Sequence, residues 1–407
     1  MSKCMKKIVV VLLSLCMFFP MENVRANETT YETNLWSDVG EYPITPQDNE
    51  WIELTYAQQL DTLSMPDEIL KEYSSKELAK WVLNYPFLID VLAFDNAESA
   101  INYLSRTSNI CKKFLSSDEA IQVLLDEYNK LKVNYSLLLD DSKVENVFNE
   151  SGYSKEIFLQ TFFAYAYNSM NDTEKDQLDN ILLSKYKEKE GICEEYTTAL
   201  LFIDRIQQLN GEITIQDTEF FNYVSKNSCD QISVLASNGF VSNGSVIYGN
   251  NGALYYNGTY TKYGVAAPCY KYSSGDYSSA EQKEADKAFE EVHPAWTRIH
   301  SATKKYNCHS YAWIQQSASN IYWMDSPDTF LSSSSVSFVS SNGAANTSDK
   351  IVIRDSNGTA QHSCIAASTG SNINSIKTTS KCGNFGVYDA PLVDMVILYG
   401  NSYKVYR

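Results

Sequence analysis

The chain has 407 residues, 50 of them acidic against 33 basic, and a formal net charge of −17 at pH 7. Such a length provides for two or three domains, each able to bury a core. The acidic balance excludes recognition of nucleic acid or of an anionic membrane through bulk charge, because either polyanion is repelled.

The first feature in chain order is a leader. Lys3, Lys6 and Lys7 precede an apolar run from Ile8 to Phe19, and Val24-Arg25-Ala26 supplies the small-residue ending that a signal peptidase reads. This order predicts export, with residues 1–26 removed after Ala26 and a secreted, extracellular destination. The run falls short of the roughly 20 apolar residues of a permanent span, so no membrane insertion is expected after cleavage. Lipidation at Cys16 is disfavoured by Leu15, which is bulky where processing needs a small residue. Cleavage takes away Lys3, Lys6, Lys7, Arg25 and Glu22 and moves the charge from −17 to −20. It leaves seven cysteines: Cys111, Cys193, Cys229, Cys269, Cys308, Cys364 and Cys382. An odd number in an exported protein leaves at least one thiol free for chemistry.

Residues 27–50 are polar, with Gly40, Pro43 and Pro46, and read as a linker. From 51 to 211 apolar residues recur at intervals of three and four, in Glu77–Leu83, Ala120–Leu131, Ile157–Tyr167, Leu178–Tyr186 and Tyr196–Leu209, the spacing of amphipathic helices. Ser116 with Glu119 and Asn171 with Glu174 have capping-box spacing, and Gly211 stands where a left-handed cap would end the last helix. An all-α domain is expected here. It is either a docking module for an unknown partner or, as the composition favours, a spacer whose aromatic residues fill its own core. No histidine precedes His293, and the acidic run 185–190 reads as a solvated helix face. Around Tyr42-Pro43-Ile44-Thr45-Pro46 and Val82-Leu83-Asn84-Tyr85-Pro86 the region resembles helical parts of secreted bacterial proteins, a resemblance that implies no activity.

Residues 212–299 form a connecting region. Between Gly239 and Ser279 the composition turns to Tyr, Gly, Asn and Ser, with Asn250-Asn251-Gly252 and Tyr256-Asn257-Gly258 as turns between β-prone runs. A helix from Ala280 to Val292 ends before Pro294, and Ser332–Ser341 reads as a low-complexity surface loop.

The chemistry is concentrated in Tyr306-Asn307-Cys308-His309-Ser310-Tyr311-Ala312-Trp313, a polar turn that continues as a helix with Cys308 near its start. A thiol is a poor nucleophile until deprotonated, and the positive end of a helix lowers its pKa. The base comes from elsewhere. Ile351–Arg354 reads as a strand, Asp355-Ser356-Asn357-Gly358 as a turn, and Ala360–Ala367 as the returning strand that carries His362. A helix-borne cysteine and a strand-borne histidine can share a proton as a thiol–imidazole pair. His309 adjoins the thiol but points about 100° away on a helix, so it is placed in the cleft lining and not as the base. His293 and His300 are read as structural, and Asp325 as a loop cap. Tyr311 and Trp313 are expected to pack against the sheet. No metal or other cofactor is expected, since the four histidines lack zinc-site spacing and no Cys-x-x-Cys pair occurs.

On these residues the stretch 300–407 resembles the NlpC-type and CHAP hydrolases, compact papain-like domains of secreted bacterial proteins. The resemblance implies an α+β multidomain chain, an N-terminal all-α domain followed by a small papain-like domain with a helix packed on an antiparallel sheet. It implies a cysteine hydrolase with Cys308 as nucleophile, His362 as base and Ser380 in Thr378-Thr379-Ser380-Lys381-Cys382-Gly383 as the third member. Ser380 departs from the family's usual His, Asn, Asp, Glu or Gln, and Asn374 and Asn384 are the alternatives. Backbone N–H groups at the helix start, with Asn307 and Tyr306, would stabilise the oxyanion. Cys364 and Cys382 would lie on neighbouring strands, close enough for a disulfide. The expected substrate is an amide bond of a peptidoglycan stem peptide. The alternatives are an extracellular protein or peptide, or no substrate at all in a secreted binding protein with a degenerate fold.

Overall fold

The computed structural model describes Trp36 and residues 38–134, 151–189, 239–248, 254–277 and 279–407. The leader, Tyr196–Leu209, Gly211, the Asn250-Asn251-Gly252 turn, Cys193 and Cys229 lie outside the described residues.

The periodicity of the first half is realised as short helices: α1 (Asn49–Glu53), α2 (Tyr56–Thr62), α3 (Asp67–Leu70), α4 (Ser75–Leu83), α5 (Ala97–Thr107), α6 (Asn109–Leu115), α7 (Ala120–Lys130), α8 (Tyr153–Ala166) and α9 (Asp172–Lys189). Side chains start several of them. Thr55 with Gln58 and Ser74 with Glu77 form full capping boxes ahead of α2 and α4. The expected Asn171–Glu174 box closes with bonds of 2.8 and 3.0 Å. Ser116 and Glu119 do not form one. Helix α6 ends so close to α7 that Ser116 is spent on its C-terminus, donating to the Lys113 carbonyl at 3.1 Å. Between α4 and α5 the largely apolar run Pro86–Ala93 forms a 3-10 segment buried at every residue, Asp90 included.

Strands β1 (Phe240–Tyr248), β2 (Leu254–Lys262) and β3 (Val265–Ser274) form an antiparallel meander, and β5 (Tyr322–Trp323) adds to β3. The Tyr256-Asn257-Gly258 turn is corrected: these residues lie inside β2. Gly258 is there because the β1 backbone crosses it, and a Cβ would stand 2.2 Å from the Val241 carbonyl oxygen. The chain reverses instead at Tyr263-Gly264, with φ of 54° and 77°, the primed geometry of a tight hairpin.

The larger sheet has seven strands in the order β4 (Thr297–His300), β10 (Val387–Pro391), β9 (Lys377–Lys381), β8 (Ala360–Ala366), β7 (Lys350–Arg354), β11 (Ser402–Tyr406) and β6 (Phe338–Ser341), every neighbouring pair antiparallel. The expected loop Ser332–Ser341 thus ends as an edge strand, because β11 offers an unpaired ladder to Phe338–Ser341. Helix α10 (Ser279–Val292) precedes β4, α11 (Cys308–Trp313) and α12 (Asp328–Leu331) precede β6, and α13 (Leu392–Tyr399) joins β10 to β11.

Strand alternation gives this sheet two buried faces. Ile351, Ile353, Cys364, Ala366 and Tyr388 join α13, α10 and the N-terminal helices in one continuous core. Val352, Ile365 and Val387 point the other way, into a core with Tyr311 and Trp313 of α11 and Ala267 and Cys269 of β3. The architecture is mixed α and β with antiparallel sheets, as the α+β expectation has it. The seven-stranded sheet is its middle layer, and α11 lies against one of its faces. Among the described residues no helix is long and apolar enough to cross a membrane.

Candidate active site

Helix α11 begins at Cys308 because Asn307 caps it: Asn307 has extended backbone (φ −110°, ψ −177°) and its Oδ1 accepts from the Ser310 amide at 3.1 Å. Asn307 Nδ2 donates to Asp95 Oδ2 at 2.7 Å and to the Met324 carbonyl at 2.8 Å, so both of its N–H groups are engaged. At the other end Lys262 Nζ donates to the carbonyls of Trp313 (2.7 Å) and Ile314 (2.6 Å), a cation where a helix exposes its negative pole. The six-residue helix is therefore held at both ends.

Strand β8 carries the groups that meet it. Ser363 faces α11, where its Oγ bonds His309 Nδ1 at 2.8 Å and accepts from Trp313 Nε1 at 3.0 Å. His309 is thus a tie between α11 and β8, and burial pushes its imidazole down to about 4. His362 points to the opposite face. Its ring stacks flat on Tyr399 of α13, with centroids 3.6 Å apart and 5° between planes, and its Nε2 bonds Ser380 Oγ.

The thiol lies at the seam between these faces. The β8–β9 ladder pairs Ile365 with Thr379 and Ala366 with Thr378; two residues on, the Ser363 carbonyl takes the Ser380 hydroxyl at 3.4 Å and the Ser363 amide turns to the Cys308 sulfur. Cys308 therefore touches the residue that follows His362. No hydrogen bond joins the thiol to the imidazole among the described residues, and both are sealed, with Cys308 2% and His362 1% exposed. Burial, and after it the Asp95 carboxylate, pushes the thiol well above the ordinary range, against the pull of the Ser363 and His309 amides. Burial pushes the His362 imidazole well down, and His309 adds to this. Both groups are neutral in this closed arrangement.

Of the three candidates for the third member, Ser380 is the one that holds the ring. Asn374 is exposed in a turn, and Asn384 is buried, its backbone N–H donating to the Leu92 carbonyl at 3.0 Å. Tyr306 is buried, 6.0 Å from the Tyr311 ring, and its hydroxyl has no hydrogen-bond partner among the described residues. The expected Cys364–Cys382 bridge is corrected: both are free thiols. Continuing the β8–β9 register sets Cys364 opposite Ser380, with Cys382 two residues further along and its thiol donating to the Ser380 carbonyl at 3.9 Å. His293 is bonded to Asp90 at 3.0 Å in the core, His300 sits on edge strand β4, and Asp325 accepts from the Tyr270 hydroxyl at 2.8 Å.

Two neighbours escaped the sequence reading. Asp95 lies beyond 200 residues of chain from Asn307, and nothing local marks it. Lys381 is buried, its ammonium bonded to the carbonyls of Thr303, Gly383 and Phe385 and lying 5.1 Å above the Tyr306 ring; burial pushes it down to about 8. The signal for it was a single cation in the otherwise uncharged Thr-Thr-Ser-Lys-Cys-Gly stretch. Among the described residues no group of three or more His, Cys, Asp or Glu side chains is gathered as a metal would need.

Comparison with family models, with curated proteins and with solved structures gives no match to this chain.

Proposed function

We propose that the chain is an exported cysteine-dependent amidohydrolase or peptidase with a papain-like C-terminal part, in which Cys308 is the nucleophile, His362 the base and Ser380 the residue that orients it. The observation that supports this most is the convergence of all three on one seam: the Cys308 sulfur against the Ser363 amide, and His362, the residue before it, held at Nε2 by Ser380. The Ser380 hydroxyl donates to the Ser363 carbonyl, so at Nε2 it accepts from N–H, and the Nδ1 lone pair is left for a proton.

The chemistry follows in two halves. The thiol gives its proton to Nδ1, the thiolate attacks the amide carbon, and the C–N bond breaks as the imidazolium returns the proton to the leaving amine. Water then cleaves the thioester by the same route, releasing the acid and restoring the thiol. A peptidoglycan stem peptide is the first substrate candidate and an extracellular peptide or protein the second.

A second reading, a secreted binding protein with an inert fold, is favoured by the sealed thiol. Incubation with purified muropeptides and with a mixed peptide library separates the two. A new product made by the native chain and absent with Cys308→Ala supports the enzyme; no product from either substrate set, with Cys308 accessible to alkylation, removes it.

A further inference from the structure

We propose that the segment Leu92–Asp95 is a built-in occupant of the cleft over Cys308, one that has to withdraw before a peptide reaches the thiol and whose backbone marks where a substrate's backbone lies. The inference rests on Cys308 being the reactive thiol, but its test reads access to that thiol and not hydrolysis.

The segment leaves the buried 3-10 turn and becomes extended at Phe94 (φ −107°, ψ 142°). Its contacts near the cysteine are those a bound peptide makes. The Leu92 carbonyl accepts from the Asn384 backbone N–H at 3.0 Å, in the loop after β9, and the Asp95 carboxylate accepts from Asn307 Nδ2 at 2.7 Å, beside the thiol in sequence. Gly383 is shaped for this approach. Its φ is +51°, and a Cβ there would stand 2.4 Å from the Leu92 oxygen and 2.5 Å from the Ala93 carbonyl carbon.

Both ends of the cover are fastened elsewhere. Upstream, Asp90 accepts from the Tyr103 hydroxyl at 2.8 Å and bonds His293 Nε2 at 3.0 Å; downstream, Asn96 caps α5 by accepting from the Ser99 amide at 2.8 Å. Five residues, Val91 to Asp95, thus bridge two anchors; the Leu92 carbonyl and the Asp95 carboxylate hold them toward the thiol, and the Phe94 ring packs on Tyr103 and Tyr399 with centroids 5.2 and 5.3 Å away. A peptide with an acidic side chain following an apolar one reproduces the Phe94-Asp95 pattern and competes for the same donors, so the class of substrate indicated is an extended acidic peptide.

Two substitutions act on the cover by different means. Asp95→Ala removes its bond to Asn307, and Gly383→Ala drives a methyl group into the Leu92–Ala93 backbone. Full-length protein is treated with iodoacetamide under native conditions, and the labelling rate of each cysteine is read by peptide mass spectrometry. Cys308 is expected to be protected in the native chain and labelled roughly tenfold faster or more in each variant, the factor that loss of a charge-assisted hydrogen bond gives a local opening. Cys111 and Cys269, buried elsewhere, stay protected. The proposal is overturned if Cys308 is already reactive in the native chain, if it stays protected in both variants, or if all the buried thiols become reactive together. Opening of Cys308 without hydrolysis of any peptide would leave the cover standing and sink the enzyme reading alone.

Discussion

At the scale of single residues, the imidazoles of His309 and His362 are kept neutral by burial, and that has a cost in acid. His309 takes up its proton at about 4 when folded against an ordinary 6.5 when exposed, and His362 is displaced in the same direction. Between those values the unfolded chain binds a proton that the folded chain refuses. The stability linked to His309 is therefore complete above pH 6.5 and is lost as the pH falls toward 4, in total roughly 3 kcal/mol. Urea midpoints measured from pH 7.5 to 4.5 should decline, and His309→Gln should flatten the decline; equal slopes in the two proteins would contradict the assignment. For the proposed base, His362→Gln is expected to lower turnover by roughly 10² to 10⁴ in protein whose proposed cover has been opened, the range set by loss of a general base. The identity of Cys308 and His362 as candidates was legible, since thiol, helix start and returning strand all lie in local sequence. The orientation of the His362 ring was not. Alternation says which residues share a face of β8 but not which face receives α11, and an irregularity in the β7–β8 register between Ile353 and Arg354 intervenes just before His362.

At the scale of elements, α11 is too short to stand alone and depends on its two ends. Lys262→Met removes both donors from the Trp313 and Ile314 carbonyls and should cost about 1–2 kcal/mol in urea unfolding, with Cys308 labelling rising as the helix frays. An unchanged midpoint would show that the cation does not hold the helix. The helices of the first half were readable because capping and 3.6-residue spacing are local signals, as at Asn171–Glu174. The hairpin was misplaced for the opposite reason. Gly258 resembles a turn glycine, yet it exists to let β1 pass, a long-range demand that no window of sequence displays. Tyr263-Gly264 carries the real reversal without the usual Asn or Asp.

At the scale of the molecule, one apolar core runs from Trp36 to Val405, through the N-terminal helices, α10, α13 and a face of the seven-stranded sheet. Composition could suggest two regions but could not show that they share a core. Residues 300–407 expressed alone would leave Ile351, Ile353, Met395 and Leu398 without their helical cover, and are expected to aggregate or remain unfolded; a well-dispersed NMR spectrum from that fragment would contradict this. The buried Asp90–His293 pair fastens the same junction, and Asp90→Ala, which leaves its partners unmet, should cost about 3–5 kcal/mol while preserving a single unfolding transition. The closed site and the shared core are thus one arrangement: the helical region completes the sheet and, through Leu92–Asp95, lies over the thiol.

The most direct test is the pH profile of Cys308 alkylation in the Gly383→Ala protein, with and without His362→Asn. The account predicts that in the uncovered site the rate titrates below the usual thiol value of roughly 8.5 and that His362→Asn moves it back up to that value. Profiles that coincide with and without His362 would show that the imidazole does not activate this thiol.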